Sequence, residues 1–475
     1  MLGDEATAIV VSSYLGQPAF NELQKLRKRT RSHLAINVPP NLIFVPGVMG
    51  SLLMSRTKGG VWWIDVRTRN HIDDLKLSDD GTADADKTND VTPFAVDTTY
   101  EPFATAVLAR DDFGHSNFAY DWRKSVFANA VELRDAILRA HGSINLGDAS
   151  GRKRVHVIAH SMGGLVTRAA LMDFGKVLWP VVGRIVFIGT PHYGSPAIAG
   201  YLKNHLWGFN EMAILGLYLK RETFRSLWGV LQLLPAPKGI YPGTRTADNP
   251  RWRAAASEDW FYEHPCANFD MYDAEAWDLG LDSGQRNRLQ TVLDAANNFH
   301  TRLHNWHDTL SADQRERMLI IAGVGYKTLF RLEYKSRALG LWESMNKITD
   351  RVKGDPHREG DGRVPLASAT LEKVSMRFVK GVHGGLTNIP EVYSGVFDWL
   401  NGQPLNLPDS VNKALAGHLA PGSGSEAPHL DGTARTVQDD PGYWDLPMPD
   451  PPLLEELNNA LDTTGMAAFH RVRLL

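Results

Sequence analysis

The chain has 475 residues, 43% of them apolar and 22% charged, and a formal net charge of −3. That length allows one large domain with insertions or two domains, and the near-neutral balance gives no electrostatic case for binding nucleic acid. A single cysteine, Cys266, excludes an internal disulfide and reads as a small packing residue, not as a nucleophile.

Taken in chain order, the first ten residues carry Asp4 and Glu5 and lack the basic start and apolar core of a signal peptide. No uncharged apolar run reaches membrane-spanning length, so a cytoplasmic location is expected. The basic run from Lys25 to Arg31 reads as a solvated helix face within an N-terminal helical extension, residues 1–37. Asn41 to Val45 is an apolar strand that runs into a glycine-bearing loop, Pro46 to Ser51. Residues 62–100 are polar and Asp-rich and read as an irregular excursion. From Ser125 to His141, apolar residues Phe127, Ala130, Leu133, Ile137 and Leu138 recur at helical spacing. Strand-like runs follow at Arg154 to Ala159, Arg184 to Gly189, Met318 to Gly323 and Ser375 to Lys380, and a last helix at Asn388 to Leu400 opens with Pro390.

Nearly continuous apolar strands alternating with helices predict an α/β protein with a mostly parallel central sheet, buried on both faces and flanked by helices. The core is expected in 38–191 and 318–402, with a helix-rich cap insertion at 192–317. Residues 403–475 hold nine of the 26 prolines and read as a tail.

Ala159 to Gly163 places Ser161 between a strand and a helix. This is the nucleophile-elbow arrangement of an α/β-hydrolase, with Ala159 in place of the first glycine. A serine hydroxyl needs a base, and the base needs an acid to orient it. In this architecture the chain order is Ser, acid, His. Asp361, in the turn from Glu359 to Pro365, and His383, just after the last strand, fit that order. Asp355 and Glu359 are the rival acids. The backbone N–H groups of Met162 and Val48 are the expected oxyanion donors. His160 is expected to point away from the nucleophile. No metal-binding spacing and no phosphate loop is present, so neither metal nor cofactor is expected.

These pieces occur in one order: Val45 to Ser51, Trp62-Trp63, Tyr120 to Arg123, Ala159 to Gly164, Thr190 to Ser195, Gly360 to Pro365 and His383-Gly384. Together they resemble the lecithin:cholesterol acyltransferase family over about residues 40–400. The resemblance implies a Ser161–Asp361–His383 triad, oxyanion donors at Val48 and Met162, and a lipid-ester hydrolase or O-acyltransferase working through an acyl-enzyme. A soluble-ester carboxylesterase or thioesterase, and a silent hydrolase fold used for binding, are the competing readings. Apolar residues in the insertion, including Trp207, Phe209 and Leu231, with Trp62 and Trp63, are candidates for a lid or substrate wall that also touches a membrane surface transiently. The alternative is that they form ordinary core. A lipid or ester substrate is the expected partner. The sequence leaves the oligomeric state and the acyl acceptor open.

Overall fold

The computed structural model describes residues 40–63, 71–110, 112–147, 150–203, 219–242, 264–266, 269–335, 347–349 and 357–416. The N-terminal extension, Trp207, Phe209, Asp355 and the tail beyond residue 416 lie outside this set.

Six strands form the central sheet: β1 (Pro40–Val45), β2 (Gly114–Asn117), β3 (Val155–His160), β4 (Val182–Ile188), β5 (Met318–Val324) and β6 (Ser375–Lys380). Their spatial order is β6-β5-β4-β3-β1-β2, and every neighbouring pair is parallel. Period-two alternation splits each inner strand between two cores. Ile43, Val45, Val157, Ala159, Ile185, Phe187 and Ile320 face one side. Leu42, Phe44, Ile158, Val186, Ile188, Leu319 and Ile321 face the other. β2, with the sequence Gly-His-Ser-Asn, carries no apolar run, because it is an edge strand that pairs only with β1.

The first core is covered by three helices, α1 (Val126–Ile144), α2 (Met162–Leu178) and α3 (Ser283–Asp308). In α1 the buried stripe is Val126, Ala130, Leu133, Ile137, Ala140 and Ile144, and the Ser125 hydroxyl caps it by accepting from Phe127 N at 3.2 Å. α3 starts with a capping box between Asp282 and Gln285. The second core is covered by α4 (Pro390–Leu400) and the short helix Glu101–Leu108.

The segment after Trp63 departs from the irregular excursion expected. Val91–Val96 returns as a strand and pairs antiparallel with Ser51–Ser55, which also pairs with Val61–Trp63. Between them Ile72, Leu75 and Leu77 are buried. The intervening chain is fastened by Arg123, whose guanidinium meets Asp121 and Asp84 at 2.8 Å each and donates to Leu75 O at 3.0 Å. β4 and β5 pair in parallel, so the long connection between Ile188 and Met318 leaves and re-enters the sheet at adjacent strands.

Candidate active site

The site is assembled at the carboxyl ends of the parallel strands, where an open α/β sheet gathers side chains from several loops. β3 ends at His160 and α2 begins at Met162, so Ser161 alone makes the turn. It does so with φ 51° and ψ −126°, a left-handed φ that costs an L-residue strain and is held by the surrounding contacts. Ser161 N donates to Ile188 O at 2.9 Å, and Gly164 N donates to Ser161 O at 3.0 Å. The glycine after Met162 is required by close approach. A Cβ on Gly163 would lie 2.4 Å from Val45 O and 2.5 Å from Pro46 O.

The three residues expected to act together touch. His383 Nε2 lies 2.9 Å from Ser161 Oγ, and His383 Nδ1 lies 2.8 Å from Asp361 Oδ2. A carboxylate only accepts, so Nδ1 carries the proton and Nε2 is left to accept from the serine hydroxyl. Asp361 is itself held: its Oδ1 accepts from Arg363 N at 2.9 Å and Val364 N at 2.7 Å. His383 N donates back to Asp361 O at 2.9 Å. Asp361 is 2% exposed and the His383 side chain 12%, so the pair is shielded while the ring edge reaches solvent. Of the rival acids, Glu359 turns aside and accepts from Gly325 N.

Val48 is half-buried in the loop after β1, and Met162 is the first residue of α2. Among the described residues neither N–H is spent on a protein acceptor. Met162 directly follows Ser161 at the start of a helix, and Val48 follows Gly47, whose backbone packs against the Ser161 side chain. No group of three His, Cys, Asp or Glu side chains is arranged to hold a metal among the described residues.

Trp62 and Trp63 are each 1% exposed and in this structure present no surface to solvent. Trp62 stacks on His71 with centroids 4.5 Å apart. Trp63 donates from its indole to Met49 O at 3.2 Å and so pins the loop that bears Val48. Leu231 is fully buried, with Phe224, Leu227, Val230 and Leu234, in the main core. In this structure these side chains are packed into the core. Cys266 is buried, which pushes its thiol up to about 12 and leaves it unreactive.

Other motifs scaffold the site. Tyr120 donates from its hydroxyl to Pro46 O at 3.0 Å, and Trp122 from its indole to Ser51 O at 3.2 Å. Both brace the loop after β1. Ser195 Oγ donates to Arg363 O at 2.9 Å, and Tyr193 N to Ser368 Oγ at 3.2 Å, which ties the segment after β4 to the turn that carries Asp361. Nothing in the sequence marks Tyr100. It lies 2.8 Å from His160 Nδ1 and accepts from Gly47 N at 3.0 Å. No local motif marks it, because its partners come from two other segments.

Residues 113–301 match the family model of lecithin:cholesterol acyltransferase. The chain is related to that family. It is 24% identical over 314 residues to phospholipase A(1) LCAT3 of Arabidopsis thaliana, covering 60% of this chain and 66% of the relative. It is 25% identical over 323 residues to lecithin-cholesterol acyltransferase-like 4 of the same plant, covering 62% and 57%. The alignments therefore span less than two thirds of either relative. A chain of the Tle4–Tli4 complex superposes with a TM-score of 0.50 at 16% identity, covering 77% of this chain and 98% of that one. The sheet order, the elbow and this superposition make the fold an α/β-hydrolase. Among the described residues no helix is long and apolar enough to cross a membrane.

Proposed function

We propose that the protein is a serine-dependent lipid-ester hydrolase or O-acyltransferase of the lecithin:cholesterol acyltransferase type. The observation that carries this is the hydrogen-bond chain from Ser161 Oγ through His383 to Asp361, built on an elbow with positive φ. Ser161 attacks the acyl carbon while its proton passes to His383 Nε2. Asp361 holds the imidazolium through Nδ1–H. The Val48 and Met162 amides take the oxyanion of the tetrahedral intermediate. Collapse of that intermediate expels the alcohol, which takes the proton from His383 and leaves the acyl group on Ser161. Water or an acceptor alcohol then gives its proton to His383 as its oxygen bonds to the acyl carbon, and collapse of this second intermediate releases the acyl product while Ser161 Oγ takes the proton back from His383.

The lipid part of the reading rests on kinship, since one relative is named a phospholipase A(1). In the same reading, residues 38–191 and 318–402 form the catalytic core and 192–317 the cap that selects the acyl group.

The test is labelling with a fluorophosphonate, which reacts with an activated serine. Wild type is expected to label and Ser161→Ala is not; strong labelling of the variant would remove Ser161 from the role. Turnover of esters of rising chain length, free and in mixed micelles, tests the lipid part. Rates that do not rise with chain length or with an interface would make the enzyme a soluble esterase. Acyl product formed on an added lipid alcohol separates transferase from hydrolase.

A further inference from the structure

We propose that Tyr100 and His160 are positioning residues, which tie the loop bearing Val48 to the loop bearing His383 and hold both in place around Ser161. The proposal rests on the triad reading above.

The connection is a single directed chain of hydrogen bonds. His160 Nε2 lies 3.0 Å from the His383 carbonyl oxygen. A carbonyl only accepts, so Nε2 carries the proton. Burial, then the neighbouring His383, pushes the His160 pKa down to about 3, so the ring is neutral and Nδ1 can only accept. Tyr100 therefore donates its hydroxyl proton to His160 Nδ1 across 2.8 Å. Burial holds that phenol protonated, well above its ordinary pKa. The oxygen of Tyr100 then accepts from Gly47 N at 3.0 Å. Every donor and acceptor along the path has one assignment, and reversing any bond would leave a buried group unpaired.

The path links four segments around the nucleophile. Gly47 is next to Val48, and a Cβ on Gly47 would lie 2.9 Å from Ser161 Cβ and 3.2 Å from His160 Nδ1. The loop thus rests directly on the elbow. His160 immediately precedes Ser161 on the chain, and its ring lies 5.0 Å from the His383 ring between centroids. The chain leading into Tyr100 is anchored twice. Asp97 N donates to Gly50 O at 2.8 Å, and Asn388 Nδ2 donates to Thr99 O at 2.7 Å. Tyr100 and His160 are 7% and 3% exposed, so water does not compete for these bonds. Neither side chain contacts Ser161 Oγ, and both act through the loops they hold.

The test uses the whole 475-residue chain. Wild type, Ser161→Ala, Tyr100→Phe, His160→Leu and His160→Gln are titrated with a fluorophosphonate to count reactive sites. The labelling rate constant, and kcat and KM for p-nitrophenyl butyrate, are then expressed per titrated site. Tyr100→Phe keeps the ring and removes one oxygen, so the fold is expected to survive. Tyr100→Phe and His160→Leu are expected to lower kcat and the labelling constant about 10- to 100-fold, with KM within about threefold, as a small misplacement of reacting groups does. His160→Gln, whose amide can still donate to the His383 carbonyl, is expected to recover part of the loss. Unchanged rates per site would overturn the proposal. So would a loss explained by fewer titratable sites at an unchanged rate per site, which is the signature of misfolding alone. Equal losses in His160→Gln and His160→Leu would overturn the share given to the His383 carbonyl. Labelling that persists in Ser161→Ala would be a failure of the triad reading itself, and is seen separately.

Discussion

Ser161 stands at φ 51° with its hydroxyl 2.9 Å from His383 Nε2, and much of the nearby backbone is shaped around that turn. Gly163 shows how closely. The atoms that a Cβ there would meet are the carbonyls of Val45 and Pro46, which are backbone and cannot swing away. Gly163→Ala is therefore expected to cost about 1–3 kcal/mol of stability, as overpacking does. It should also slow fluorophosphonate labelling, because Pro46 belongs to the loop that bears Val48. Urea unfolding and labelling rates measured together check both. Asp361 makes a different kind of prediction. Asp361→Asn keeps the shape but lets the amide donate to His383, favouring the wrong tautomer, so kcat should fall by about 10⁴-fold with folding retained. A rate near that of wild type would mean that another acid orients His383.

At the scale of elements, the Tyr120 to Arg123 stretch is a clamp. Tyr120 and Trp122 brace the loop after β1, while Arg123 reaches across to Asp84 and Leu75. The Arg123 side chain is fully buried, and Asp84 and Asp121 are nearly so. Arg123→Met would leave Asp84 without its guanidinium and Asp121 with only Lys124 at 3.8 Å, and breaking such a buried network typically costs about 3–5 kcal/mol. The variant is expected to show a lower urea midpoint and faster proteolysis between residues 72 and 90. A midpoint equal to that of wild type would mean that the segment is held by its apolar contacts alone. The same elements mark the reach of sequence reading. Inner strands announce themselves because both faces are buried. The Gly114–Asn117 and Val91–Val96 strands do not: one is a polar edge, and the other is half-buried in a small antiparallel sheet.

For the whole molecule, the buried histidines set the response to acid. Burial depresses the pKa of His115, His156, His264 and His300 to about 4 and of His160 and His307 to about 3, and holds His192 well below its ordinary value. In the unfolded chain the same rings take up protons near pH 6.5. Stability is therefore full above about pH 6.5 and is lost as pH falls from there toward the folded values, because the unfolded state binds the extra protons. Urea midpoints measured between pH 7.5 and pH 4.5 are expected to fall steadily. A flat profile over that range would mean that these rings titrate normally in the fold.

The sequence by itself determined what depends on neighbours along the chain. Apolar runs between glycines define buried parallel strands, and a strand, Ser161 and a helix in direct succession define the elbow. The relative order of Ser161, Asp361 and His383 was readable too, because that order belongs to the chain. What only the tertiary structure decided lies in contacts between distant segments. The sequence put Asp361 ahead of Asp355 and Glu359 by order and by resemblance, but the contact itself, Asp361 Oδ2 against His383 Nδ1, is set by how the turn that carries Asp361 packs against the loop after β6. Whether Trp62 and Trp63 face a lipid or the core depends on pairing with Ser51–Ser55. The Tyr100–His160 link joins residues 60 positions apart, and His160 meets the His383 carbonyl across 223. Hydrogen bonds of that reach leave no local periodicity, because each partner is selected by three-dimensional proximity and not by spacing along the chain.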